Sequence, residues 1–113
     1  MRKVHENKKA GEVKLVADTE EDLWYLSTII DPGDVVEGKT FRKIKAGDSE
    51  QENVKKPVFA VLKVESADLA KDVLRVSGII VGGSEELPRG SHQSIKVELH
   101  EPILIRKEHW LSY

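Results

Sequence analysis

Cysteine is absent from the 113 residues, so neither a disulfide framework nor a thiolate metal site can be built, and a reducing cytosolic setting fits. Aromatics are scarce: two Trp, two Tyr and two Phe leave little material for a barrel that grips peptides in an aromatic groove. Long apolar runs are missing too. Val58–Leu62 and Ile79–Val81 are far too short to cross a bilayer, and Met1–Gly11 has no apolar signal segment, so a cytoplasmic protein is expected. Nor is there a large excess of either charge. The formal net charge is −2 with 34% charged residues, so any site for a polyanion must be a local patch. A chain of this length is expected to form one domain over residues 1–113 with one modest core.

What is present is mostly alternation. Residues 1–10 are polar and basic around Val4 and read as a short edge strand or a disordered tail, the strand being the preferred reading. Val13, Leu15 and Ala17 then alternate with Glu12 and Lys14, the period of a half-buried strand ending near Asp18. Asp18-Thr19-Glu20-Glu21-Asp22 reads as a helix start, since Asp18 or Thr19 can cap while the acids face the positive end of the helix dipole. A helix to about Ile30 should bury Leu23, Leu26 and Ile30, with Trp24 and Ile29 widening the stripe, before Pro32-Gly33 stops it. Val35–Ile44 predicts a strand buried at its start or bulged at Gly38. Residues 45–56 read as a mobile hairpin loop, and Val58–Glu65 as a strand central in the sheet. Ser66–Asp72 should make a return with a helical turn, followed by strands over Val73–Val81, Ser94–Leu99 and Ile103–Ile105. Trp110 is available to cover the core. Five or six short strands and one short α-helix point to a mainly β fold: a small, strongly bent antiparallel β-barrel of the Sm/SH3 type that closes its sheet.

Charge is concentrated in one place. Lys39, Arg42, Lys43 and Lys45 surround Phe41 with no acid between Gly38 and Gly47, as expected where a barrel rim meets a polyanion. Such cations can hold phosphates while Phe41 offers a stacking face. The plain alternative is a sheet edge protected by lysines. Asp18, Glu20, Glu21 and Asp22 could instead hold a divalent metal for an RNA endonuclease, because hard cations prefer carboxylate oxygens. The helix start already accounts for all four. His92 and His100 would stand roughly 26 Å apart along one extended strand, and His5 and His109 have no partner at ligand spacing. Neither a phosphate-binding glycine loop nor a nucleophile with its base can be placed, so no catalytic residue, metal ligand or cofactor is assigned.

Several ordered stretches resemble the N-terminal domain of the Pelota family of ribosome-rescue factors: Gly11-Glu12-Val13-Lys14-Leu15, Asp22-Leu23-Trp24-Tyr25-Leu26, Pro32-Gly33-Asp34, Thr40-Phe41-Arg42-Lys43, Val64-Glu65-Ser66, Leu74-Arg75-Val76-Ser77-Gly78 and Lys107-Glu108-His109-Trp110. The resemblance implies an Sm-like barrel, the first of three domains, whose central and C-terminal neighbours are absent here. It implies entry into the small-subunit decoding region of stalled ribosomes for no-go decay and rescue, with contacts to ribosomal RNA and mRNA. The implied partners are a translational GTPase of the elongation-factor type and an ATP-binding-cassette recycling ATPase. By the same resemblance the ribosome-facing elements are Thr40–Lys43, the 45–56 loop and the Ser84–Ser94 loop, which adds Lys55, Lys56, Arg89 and His92 to the cations above. One departure stands out: Gln93-Ser94 replaces the His-Thr common in the family, so a role needing that histidine is not carried over.

Overall fold

Strands form where the chain alternates or runs β-branched, and a helix forms where acids gather behind a threonine. The computed structural model describes residues 1–45, 53–70 and 72–108, and for 42–45 and 53–56 the backbone alone. In order the elements are β1 (Arg2–Asn7), β2 (Glu12–Val16), α1 (Glu20–Ile29), β3 (Val35–Lys45), β4 (Asn53–Ala70), β5 (Val73–Gly83), β6 (His92–Glu98) and β7 (Pro102–Arg106). The strands make one antiparallel sheet in the order β1-β2-β7-β3-β4-β5-β6. The core lies on its concave side, where Val36, Leu62, Leu74, Val76, Ile80, Ile95, Ile103 and Ile105 meet Leu23 and Leu26 of the helix.

Helix α1 begins as its sequence requires. Thr19 Oγ1 accepts from the Asp22 amide at 3.2 Å, while Asp22 Oδ2 accepts from the amides of Thr19 and Asp18 at 3.2 and 2.9 Å, a reciprocal capping box. Leu23, Leu26, Ile29 and Ile30 are buried. Trp24 does not widen that stripe; it stands 55% exposed beside Tyr25, with ring centroids 5.4 Å apart. The reason is angular: one residue past Leu23 is a turn of about 100°, away from the sheet.

After the helix, Gly33 takes a positive φ of 94° and donates to the Val64 carbonyl at 2.8 Å, tying the turn to β4. The same turn holds the end of β7. Lys107 is 5% exposed, its Nζ donating to Asp31 Oδ2 at 2.9 Å and Asp34 Oδ2 at 2.5 Å. Its backbone N–H donates to Gly11 O at 3.1 Å. Burial alone would push the ammonium pKa down, but the bonds to Asp34 and Asp31 outweigh it and hold it above the ordinary lysine value.

Several expectations are corrected. The sheet bends strongly but does not close: among the described residues no backbone ladder joins the edge strand β6 to β1 or to β3. Seven strands form rather than five or six, and β3 pairs with β4 without interruption from Val35↔Lys63 to Lys45↔Asn53, so Gly38 is not a bulge. The loop expected over 45–56 is shorter, because Lys45 and residues 53–56 lie in strands; its expected mobility, and the cover expected from Trp110, fall outside the described residues. The helical turn expected within Ser66–Asp72 is replaced by strand. β4 continues to Ala70, paired from Ser66↔Ser77 to Ala70↔Val73, because cross-strand pairing overrides weak local propensity. The bend falls where register slips, between Val61 and Leu62 and between Val64 and Ser66. There Gly78 is obligatory: a Cβ would collide with the Lys63 carbonyl oxygen.

Replacing Thr19 by Ala should cost about 1 kcal/mol through the lost cap. Lys107→Met should cost more, about 2–3 kcal/mol, because Asp34 is left largely buried without its cation. Urea unfolding of the two variants beside the parent checks both the sizes and their order.

Candidate nucleic-acid interface

Parity along β3 decides what faces outward. Val36, Gly38 and Thr40 are buried, so Lys39 and Phe41 stand on the opposite, solvent side. Cross-strand register sets Lys39 against Phe59 and Phe41 against Pro57, which places both phenylalanines and Lys39 on one face. Phe41 is 50% and Phe59 53% exposed, so two rings lie open beside a lysine.

Arg89 joins this face from the β5–β6 connection. Gly82, paired with Val61, has no side chain, and an Arg89 guanidinium nitrogen lies 3.7 Å from where its Cβ would be. Lys39, Lys96 and Arg89 form no ion pair among the described residues. His92 is different: its Nε2 lies 3.3 Å from Glu65 Oε1, so it is exposed but beside a carboxylate.

The remaining predicted cations sit further along the β3–β4 ribbon. Register sets Arg42 opposite Lys56, Lys43 opposite Lys55 and Lys45 opposite Asn53, while their side chains lie outside the described residues. Lys55 and Lys56 are therefore strand positions, not the loop positions expected.

Thr40 and Gln93 acquire a role that residue type alone did not announce. Thr40 Oγ1 donates to the Ser94 carbonyl at 2.7 Å, and Gln93 Nε2 donates to Thr40 Oγ1 at 3.1 Å. These side-chain bonds hold β6 against the edge of β3 where a backbone ladder is lacking. Phe59 and Lys96 were also missed. The buried set Val58, Ala60, Leu62 and Val64 reveals the parity of β4, but Phe59 and Val61 on the outer parity hid it in an apolar run. Lys96 was a plain solvent-side residue of an alternating strand, and one sequence does not say which strand it faces.

Of the four acids weighed for metal binding, Asp18 and Asp22 are occupied, while Glu20 and Glu21 stand exposed in the first turn of the helix. Asp18 receives the Arg2 guanidinium at 3.0 Å and lies 3.3 Å from His100 Nδ1; Asp22 caps the helix and meets the Met1 amine at 2.6 Å. The hydrogen bond from Arg2 lowers the Asp18 pKa, and the Met1 amine, then the Asp18 amide, lower that of Asp22. Among the described residues no three His, Asp or Glu side chains cluster to hold a metal ion, and no helix is long and apolar enough to cross a membrane.

The model of the Pelota N-terminal domain matches residues 1–113. A pelota homolog from Methanothermobacter thermautotrophicus is 39% identical over 117 residues, covering 97% of this chain and 33% of that protein. One from Pyrococcus horikoshii is 42% identical over 119 residues, covering 100% and 33%. A model of ribosome-bound archaeal Pelota and ABCE1 superposes with a TM-score of 0.75 at 37% identity, covering 98% of this chain and 33% of that one. The chain thus spans about a third of the length of the relatives it matches.

Because the folded-state pKa of Asp22 is depressed, its stabilisation is present above the unfolded carboxylate pKa and is lost as pH falls through the folded value. Asp22→Asn should therefore be less stable than the parent at pH 7, and the gap should close below about pH 4. Thermal melts of both proteins across that range test it.

Proposed function

The chain belongs to the Pelota family, and on that premise we propose that it is an RNA- and ribosome-binding module of translation surveillance. It enters the small-subunit decoding site of stalled ribosomes for no-go decay and ribosome rescue. Residues 1–113 form the first of three domains, and the compartment is the cytoplasm. Its partners are ribosomal RNA and mRNA, a translational GTPase of the elongation-factor type, and an ATP-binding-cassette recycling ATPase. The archaeal relative seen with the ribosome and ABCE1, similar over 98% of this chain, supports that assignment.

The observation that carries the reading is the outer face of β3–β5: Lys39 and Arg89, exposed and in no ion pair among the described residues, on the same face as the open rings of Phe41 and Phe59. Cations hold phosphates and rings accept bases, the combination structured and single-stranded RNA both use. Along the ribbon, Arg42, Lys43, Lys45, Lys55 and Lys56 extend the phosphate contacts. Like-charged positions set directly opposite one another, Arg42 against Lys56 and Lys43 against Lys55, cost stability unless an anion lies across them. His92 contributes at the rim. Binding needs no cofactor. A metal-dependent endonuclease gains no support from Asp18 and Asp22, which are engaged in the helix cap and its ion pairs.

Arg42→Glu/Lys43→Glu and Arg89→Glu should each weaken co-sedimentation with archaeal 30S or eukaryotic 40S subunits. The slope of log affinity against log salt should fall by roughly one for each phosphate contact removed. Unchanged binding of the double variant would overturn the reading.

A further inference from the structure

Strand β7 pairs with β3 only from Val35↔Arg106 to Glu37↔Leu104, and from Thr40 onward the same edge of β3 is held to β6 instead. Where β7 leaves and β6 arrives, the outer surface opens into a cleft of about 390 Å³ lined by Lys14, Lys39, Phe59, Lys96, Leu104 and others. A second hollow of about 490 Å³ continues along the seam, lined by Lys39, Phe41, Gln93, Ser94 and Lys96 among others. Both volumes fall within the range of about 300–1,000 Å³ that holds small-molecule-sized groups.

Lys39 and Lys96 line both hollows, Phe59 only the first and Phe41 only the second. The arrangement is two ring-bearing hollows with a pair of cations shared between them. We infer that this seam binds one dinucleotide step of single-stranded RNA, the phosphodiester between Lys39 and Lys96, one base against Phe59 and the next against Phe41. This rests on the RNA-binding reading above and adds which form of RNA the face takes.

A base in a duplex keeps its neighbours stacked on it and cannot offer a face to either ring, so a splayed single strand is required. An acidic peptide would satisfy the two lysines and leave both rings without a planar partner. Glu37 and Glu101 at the first hollow and Glu98 at the second would meet any anion, so it is the two rings that discriminate between the ligands. A nucleic acid concentrates its charge at the phosphate, where the cations are, and presents flat apolar faces on either side.

The test uses this chain and a hexamer of single-stranded RNA, uridine except for one central 2-aminopurine, whose fluorescence is quenched on stacking. Quenching on binding is expected. Phe59→Ala should remove most of it and weaken affinity about five-fold or more. Lys96→Glu should weaken affinity and flatten its salt dependence. Both residues are exposed, and unchanged circular dichroism and melting temperature confirm that the variants fold. Three results overturn the seam site: affinity unaltered by both substitutions, equal affinity for a blunt duplex of the same length, or displacement of the hexamer by oligoglutamate at comparable concentration. Subunit binding that survives alongside any of these leaves the ribosome reading standing while the seam falls. Phe59-dependent hexamer binding without subunit binding would have the opposite meaning.

Discussion

One edge of β3 has two successive neighbours, and most of the surface follows from that. For three residues it is paired by β7; beyond Gly38 it faces β6. A strand cannot exchange backbone partners without a gap, since each ladder fixes its own direction and spacing. Gly38 makes the exchange possible, because the Ile95 side chain lies 3.2 Å from where a Cβ would stand. Thr40, 6% exposed, then spends its hydroxyl on the Ser94 carbonyl. The result is a sheet curled almost to a barrel yet joined along its seam by side chains, with open ground on the outer side.

At the other end of the molecule the constraint is ionic. Lys107, Asp31 and Asp34 bring together the stretch after β7 and the turn between α1 and β3, and the Lys107 amide reaches Gly11 before β2. Three segments distant in sequence are thus gathered around one buried ammonium. Such a cluster is worth little as a count of ion pairs, but taking away one member strands the others, so it specifies how the segments meet.

Much of this was legible in the residues. The helix and its cap could be read from Thr19 and the acids after it, and β2, β5, β6 and β7 from alternation with few errors of bounds. The Pelota resemblance, carried by short ordered motifs, agreed with the comparisons. What could not be read was determined by partners remote in sequence. Ser66–Ala70 has poor strand propensity and becomes strand because β5 lies alongside it. Closure of the sheet depends on whether β6 meets β3 through backbone or side chains, and Gln93-Ser94, noticed only as a departure from a family pattern, turns out to sit at that junction. Of the candidate cations, Lys39 and Arg89 come to one face for a reason visible only in three dimensions, the bare Cα of Gly82 beneath the guanidinium.

Strand β4 spans 18 residues with two register slips against β5, and the whole molecule measures 52 × 28 × 22 Å. Fully extended, a strand of that length at about 3.3 Å per residue would measure roughly 59 Å, more than the body is long, so it bends within it. The domain is therefore elongated rather than spherical. Its long axis lets it enter end-on a crevice that would turn away a sphere of equal mass.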